Sequence, residues 1–277
     1  MIYAIGDLHL SFSTNKPMDI FGYNWSDYEK KIEKNWLNKI TENDLVLLPG
    51  DFSWCTYIED AKLDFEYINK LPGKKILLKG NHDYWWETVT KMNSYIKNWN
   101  FENINFLFNN AYVYDGILIV GTRGWTLSET DDIEQDKKMI ARECIRLENS
   151  IEYGIKNFEF NDIICMMHYP PITKQMVKDG QTSPFIEVLK KYNINKCVYA
   201  HLHGEAQSNA ILEKYEGIDF QLVSSDYLNF DPKQLFYNNR IWYEKQKKIT
   251  NNFICRARNS YSNNYCYCCC NEKQILC

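Results

Sequence analysis

The densest group of reactive side chains is Leu78–Lys79–Gly80–Asn81–His82–Asp83, at the end of the apolar run Lys75–Leu78. It places an amide, an imidazole and a carboxylate on three consecutive residues, where a buried strand would surface into a loop. An Asn oxygen can ligate a metal ion, and the adjacent imidazole cannot easily reach the same ion. His82 is thereby free to handle a proton, with Asp83 beside it to orient the ring. Four further segments follow apolar runs: Asp7–Leu8–His9, Gly50–Asp51, His168 in His168–Tyr169–Pro170–Pro171, and His201–Leu202–His203. Together these clusters hold all five histidines of the chain. A single such histidine would be read as a satisfied core or surface residue, but scattered structural histidines have no reason to avoid every helix. Imidazole, carboxylate and amide oxygen form a mixed donor set suited to Mn, Fe, Zn or a similar divalent ion. Thiolates are absent from the set, which argues against a purely structural zinc site.

These clusters need a scaffold that brings five separate loops together. Ile2–Ile5, Leu45–Leu48 and Lys75–Leu78 read as short buried strands, separated by helical stretches, the first with Ile32, Trp36, Leu37 and Ile40 on one face. Ser26–Asp27–Tyr28–Glu29 has the form of a capping box, and a second helix is expected from Ile58 to Asn69. Strand–helix–strand alternation with short connections is the pattern of a parallel sheet, whose ligands gather at the carboxyl ends of the strands. A helix is expected from Tyr84 to Lys97. Short strands over Asn105–Leu107, Ala111–Tyr114 and Ile117–Val120 then suggest antiparallel pairing through turns at Asn109–Asn110 and Asp115–Gly116. A long helix over Asp131–Tyr153 should present Ile133, Ile140, Cys144, Leu147 and Ile151 on one face. Strands over Ile163–Met167 and Lys196–Tyr199 flank a helix from Pro184 to Tyr192, and Ala206–Leu212 with Ile218–Val223 reads as a hairpin. The whole suggests two packed sheets with helices outside.

Asp7-x-His9, Gly50–Asp51, Gly80–Asn81–His82–Asp83, His168 and His201-x-His203 follow the motif order of the calcineurin-like metallophosphoesterase superfamily, which the chain resembles from residue 6 to 204. One departure is Ala200, where that family usually has Gly before the last His-x-His. The resemblance implies an α/β fold, a four-layer α/β/β/α sandwich of two mixed β-sheets flanked by helices. It also implies two divalent metal ions (Mn, Fe or Zn), one held by Asp7, His9, Asp51 and His203, the other by Asp51, Asn81, His168 and His201. Asp51 would bridge the pair, and a bridging hydroxide would be the nucleophile. His82, not a ligand, would protonate the leaving oxygen or contact the phosphate, with Asp83 supporting its ring. Charge supports this independently, since two divalent ions outweigh two carboxylates and a hydroxide and leave positive charge for a phosphate oxygen. Arg123, between Gly121–Thr122 and Gly124, offers a fork of donors for phosphate. Trp54, Tyr84, Trp85, Trp86 and Trp125 lie near the ligand loops, where they could stack on a base, cover an apolar leaving group or simply pack the sheets.

Composition sets the outer bounds. The 277 residues are 45% apolar and 25% charged, ordinary for a globular protein. A formal charge of -4 gives no general affinity for nucleic acid or anionic membrane, so a nuclease is the weaker subtype. No run approaches the ~18 apolar residues of a membrane span. The N-terminus lacks the basic and apolar regions of a signal peptide, so the expected compartment is the cytoplasm. One domain is expected over 1–237, followed by a Cys-rich tail over 238–277 that is disordered or loosely packed. Six of the ten cysteines fall in that tail, where Cys266-x-x-Cys269 lacks the second pair a zinc site needs. Cys55, Cys144, Cys165 and Cys197 read as reduced buried thiols. The expected activity is hydrolysis of a small-molecule phosphate ester, monoester or diester. The alternative is a non-catalytic metal-binding scaffold that retains the fold, against which stand the intact ligand set and His82. A nucleotide-driven enzyme is excluded, because Pro72–Gly73–Lys74–Lys75 lacks the first Gly and the hydroxyl residue of a phosphate-binding loop.

Overall fold

The computed structural model describes residues 1–14, 16–127 and 133–235. The chain enters β1 (Ile2–Ala4) and crosses through α1 (Tyr28–Leu37) to β2 (Leu45–Leu48). It continues through α2 (Lys62–Lys70) to β3 (Lys74–Leu77), then through α3 (Val89–Asn98) to β4 (Ile104–Phe106). These four strands are parallel neighbours in one sheet. The chain then builds a second sheet from β5 (Tyr112–Tyr114) and β6 (Ile117–Thr122), crosses through α4 (Ile133–Asn157) to β7 (Asp162–Met167), and through α5 (Lys174–Lys178) and α6 (Pro184–Lys191) to β8 (Lys196–Tyr199). β9 (Lys214–Tyr215) and β10 (Ile218–Leu222) complete that sheet, and β11 (Lys233–Gln234) returns antiparallel to β1. The orders are β11-β1-β2-β3-β4 and β5-β6-β7-β8-β10-β9.

The strands are continuous apolar runs because both sheet faces are covered. Tyr3, Val46, Leu48 and Leu77 pack with Ile32 and Trp36 of α1 and Phe65 and Ile68 of α2 in one core. Leu118, Val120, Cys165 and Tyr199 pack with Leu147 and Ile151 of α4 and Ile186 and Leu189 of α6 in another. The alternate strand residues Ile2, Ala4, Leu45, Leu47, Ile119, Ile164, Met166 and Val198 are equally buried, which leaves them between the sheets. The layers therefore run helix, sheet, sheet, helix, the expected four-layer sandwich of mixed sheets.

The sheets touch where β1 and β10 end. Gly6 N donates to Val223 O at 2.7 Å, and Ser225 N donates to Gly6 O at 3.0 Å. A Cβ on Gly6 would stand 2.6 Å from the Ala200 methyl and 2.9 Å from Pro49 Cγ. Ala200, the one departure from the family motif, thus fits because the position facing it carries no side chain.

Several expected elements differ, each for a local reason. Ser26 closes a 3-10 turn over Tyr23–Trp25, and Asp27 sits at φ 50° with its carboxylate on Lys30, so no capping box forms. The helix expected from Tyr84 begins only at Val89, capped by Thr88 Oγ1, because Asp83–Trp86 fold into a turn. β4 does not pair with β5. Asn110 ties its side chain to Phe108 N and Phe106 O, and the chain leaves the first sheet there. Gly204–Asn209 is a 3-10 turn, not a strand, so the antiparallel partner of β10 is the short Lys214–Tyr215. Leu37 at the end of α1 and Ile133 at the start of α4 lie exposed rather than on the buried faces of their helices. Met1–Leu235 forms one compact unit, and the expected boundary at 237 and the tail over 238–277 lie outside the described residues.

Gly6→Ala is expected to cost about 2 kcal/mol through overpacking at the seam, and Ala200→Gly in the same chain to return part of it. Urea unfolding of the single and double variants measures both; an unchanged midpoint for Gly6→Ala would contradict the close approach.

Candidate metal centre

Every predicted ligand lies just beyond the carboxyl end of a parallel strand. Asp7 and His9 follow β1, Asp51 follows β2, Asn81 follows β3, His168 follows β7, and His201 and His203 follow β8. The loops are laced to one another by backbone bonds: Asp7 N to Gly50 O at 3.0 Å and His9 N to Asp51 O at 2.9 Å. His201 N donates to Asp7 Oδ2 at 2.8 Å, and His82 N donates to Asp51 Oδ1 at 2.7 Å. A Cβ on Gly80 would lie 2.1 Å from Asp51 Oδ1, so only glycine lets the third loop lie against the second. Asp7, His9, Asp51 and His201 have φ of 55°, 46°, 51° and 73°. Left-handed backbone at non-glycine residues costs of order 1 kcal/mol each and persists where the surroundings over-determine it, typically at functional sites.

The side chains converge in two overlapping sets. Asn81 Oδ1 lies 2.6 Å from His168 Nε2 and 2.9 Å from His201 Nδ1, and those two nitrogens are 3.2 Å apart. His9 Nε2 and His203 Nε2 are 3.4 Å apart, with Asp7 Oδ2 at 3.6 Å from the latter. Asp51 Oδ2 sits between the sets, 3.7 Å from His9 Nε2 and 3.7 Å from His168 Nε2. Asp7, His9 and His203, and likewise Asp7, Asp51 and His168, each offer ligand atoms within 4.8 Å of one another.

Electrostatics says what this arrangement lacks. Burial lifts the Asp7 carboxyl to about 7, with Asp51 pushing the same way and His203 opposing. Asp51 is raised by burial too. Burial drives His168 and His201 down to about 3 and His9 well below the usual histidine range, so these rings are neutral. His203 is the exception: burial would lower it, but Asp7 and Asp226 outweigh that and hold it up at about 9. The single proton of neutral His168 belongs on Nδ1, which faces Pro49 O at 3.0 Å. Its Nε2 lone pair then points at the Asn81 oxygen, acceptor against acceptor. Asp7 Oδ1 and His9 Nδ1 are buried without a hydrogen-bond partner, the former 3.7 Å from His168 Nδ1. Lone pairs facing one another around two buried carboxylates are a poor fit to a core and a good fit to divalent cations.

The two catalytic candidates stand apart from each other. His82 is half-buried, its ring 4.6 Å from Trp54 and 5.8 Å from His9, with Nδ1 unpartnered. Asp83 does not orient it, which corrects the expectation from adjacency. Its fully buried carboxylate accepts from Asp51 N, Phe52 N, Ser53 N, Gly80 N and Trp85 Nε1 at 2.9, 2.8, 3.3, 2.7 and 2.9 Å. Burial and Asp51 push this carboxyl up to about 7. Every group around its oxygens is nevertheless a donor, an environment made for the ionised form. Asp83 is thus the clasp that binds the Asp51 loop to the Asn81 loop.

Trp85 packs among Phe52, Phe65 and Phe106 and is core. Trp54 lies flat on His9 at 4.8 Å, and Trp125 lines a cavity of about 620 Å³ together with His201, Tyr169, Leu127 and Met176. Arg123 does not line that cavity. Its guanidinium lies 4.7 Å over the Trp125 ring and lines a smaller cavity behind it. Sequence reasoning missed Asp226, whose Oδ1 holds His203 Nδ1 at 2.9 Å and whose Oδ2 takes Gly204 N and Gln207 Nε2. That carboxylate sets the ring so that Nε2 faces the centre, the usual arrangement behind a metal-bound histidine. Its signal was a sixth polar cluster, Ser224–Ser225–Asp226, after an apolar strand.

The calcineurin-like phosphoesterase family model matches residues 1–205, and the chain belongs to that family. Its members are metal-dependent phosphoester hydrolases, and the ligand geometry above agrees. No protein with a curated description matches the chain. Among solved structures it is similar to a protein of unknown function, AQ665 from Aquifex aeolicus, at 17% identity, covering 84% of this chain and 94% of that one with a TM-score of 0.44. It is also similar to a phosphopantetheinyl hydrolase from Mycobacterium tuberculosis, at 13% identity over 86% and 96% of the two chains with a TM-score of 0.49. A third, TT1561 of Thermus thermophilus, shares 15% identity over 73% and 81% with a TM-score of 0.47. Likenesses of that degree carry no weight for the substrate.

Asp83→Asn turns an amide N–H₂ toward backbone N–H donors and leaves some of them unpaired. The expected cost is about 3 kcal/mol of stability, with metal affinity falling alongside. Thermal unfolding and metal titration report the two. A variant of wild-type stability with only a shifted pH–rate profile would restore Asp83 as the orienter of His82.

Proposed function

We propose that the chain hydrolyses a phosphate ester at a dinuclear centre, with Asp7, His9, Asp51 and His203 holding one divalent ion and Asp51, Asn81, His168 and His201 the other. The observation that carries this reading is the equal 3.7 Å separation of Asp51 Oδ2 from His9 Nε2 and His168 Nε2, the position of a shared ligand. When bound, such ions supply Lewis-acid charge to the phosphate oxygens and make water nucleophilic at neutral pH. Manganese, iron and zinc all suit the donors.

The chain's own residues do the rest. His82 is anchored through its backbone N–H on Asp51, so its ring stays beside the centre without joining the ligand set. It protonates the leaving oxygen or contacts the phosphate; burial pulls the ring below the usual histidine range, and the Asp51 carboxylate opposes that shift. Trp54 covers His9 and abuts His82, closing that side against bulk water. Asp226 keeps His203 from rotating, and Asp83 keeps the two central loops in register. The 620 Å³ cavity, with His201 in its wall, takes the organic half of the ester; Trp125, Tyr169, Leu127 and Leu202 favour an aromatic or amphipathic alcohol over a bare phosphate. No helix among the described residues is long and apolar enough to cross a membrane. A small-molecule ester met in the cytoplasm is the substrate class this reading favours.

Asp51→Asn is expected to lose both metal and turnover, whereas His82→Ala keeps its metal and loses activity by about 10²-fold or more. Elemental analysis beside hydrolysis of chromogenic mono- and diesters, on stripped protein reloaded with Mn, Fe, Zn or Mg, measures both. Full activity in His82→Ala would remove that residue from the mechanism, and turnover by the stripped protein would remove the metals.

A further inference from the structure

A second cavity of about 440 Å³ lies behind Arg123, between the loop after β3 and the carboxyl end of β6, with α4 along one side. Lys79, Arg123 and Arg146 line it, with Glu143 and Glu87 as its carboxylates. Neither acid neutralises the cavity fully. Glu143 is completely buried; one oxygen accepts the Thr122 hydroxyl, and the other holds Arg146 at 2.5 Å with Arg123 Nη2 at 3.7 Å. Glu87 is engaged by Lys91 at 2.8 Å. Arg123 Nε is buried with no hydrogen-bond partner, and the Lys79 ammonium has no carboxylate within ion-pair distance among the described residues. Two guanidinium groups and an ammonium lining one cavity with fewer carboxylates than cations are the donor set of a phosphate site, forks and a point charge.

The cavity also backs onto the candidate centre. Lys79 stands two residues before Asn81, and Arg123 O accepts the N–H groups of His168 and Tyr169 at 3.2 and 2.9 Å. The Arg123 guanidinium, which lines this cavity, stacks on Trp125, which lines the larger cavity that includes His201. We propose that the smaller cavity is a second anion site that takes a phosphate group distinct from the one hydrolysed. Its occupant is a second phosphate on the same substrate or a free phosphate ion, with identical chemistry at Arg123, Lys79 and Arg146. The substrate arm rests on the hydrolytic reading given above; the anion site itself does not.

The experiment uses the full chain, wild type and two variants on different elements, Arg146→Gln and Lys79→Gln. Lys79→Gln leaves the Glu143 ion pairs intact, so a folding loss in the other variant does not decide the outcome. Inorganic phosphate titrated calorimetrically into chelator-treated protein should bind, and binding should weaken about tenfold or more in either folded variant. Absence of binding, or binding indifferent to both substitutions, overturns the proposal. With metal restored, the ratio of kcat/KM for a nucleoside 3′,5′-bisphosphate to that for the matching 3′-monophosphate distinguishes the two sources. A ratio of about ten or more that collapses in the variants assigns the site to the substrate, and a ratio near one beside measured phosphate binding assigns it to the free ion. Failure of both nucleotides and of the chromogenic esters to turn over counts against the hydrolytic reading alone, because the calorimetric result stands without it.

Discussion

Two carboxylates, Asp7 and Asp51, are buried within reach of each other where the two sheets meet, and the rest of the structure is arranged around that fact. Burying charges of the same sign is among the costlier things a fold can do, and hydrogen bonds to backbone N–H groups offset only part of it. The surrounding imidazoles do not supply the missing positive charge, since burial keeps His9, His168 and His201 neutral. Only His203, braced by Asp226, is held in its charged form. A cavity of acceptors with too few protons to share makes structural sense once divalent cations are counted among its components.

The architecture follows from having to bring such a site together. Parallel strands deliver all their loops to one edge, and two sheets meeting at Gly6 and Val223 bring two such edges face to face. The strain is concentrated there as well. Four of the seven candidate ligands have left-handed backbone, and they are held by crossed bonds between loops rather than by helix or strand. Asp83 is central to that crossing: one carboxylate gathers donors from residues 51, 52, 53, 80 and 85, so the spacing of two ligand loops depends on one fully buried group.

Much of this was legible in the sequence because the information is local. Each ligand follows an apolar run, and burial on both faces makes such a run unmistakable; hence β1, β2, β3, β7 and β8 and the clusters after them emerge from pattern alone. What stayed hidden depends on partners far along the chain. That Asp83 serves backbone groups and not the neighbouring ring cannot be seen from adjacency, because the geometry is set by residues some thirty positions upstream. Asp226 escaped notice since a carboxylate without an adjacent histidine carries no motif of its own. β4 and β5 were expected to pair because a short turn joins them, yet Asn110 uses its side chain to bend the chain out of one sheet and into the next. The 3-10 turn at Gly204–Asn209 has the same origin, its first N–H and the Gln207 amide being taken by Asp226.

In the proposed centre, two cations share Asp51. Crystals of the metal-loaded protein, with anomalous data collected on either side of the metal absorption edge, address it directly. The account predicts two anomalous peaks per chain, both in coordination contact with the Asp51 carboxylate, one bounded by His9 and His203 and the other by Asn81, His168 and His201. A single peak, or two peaks of which one lies away from Asp51, would contradict it.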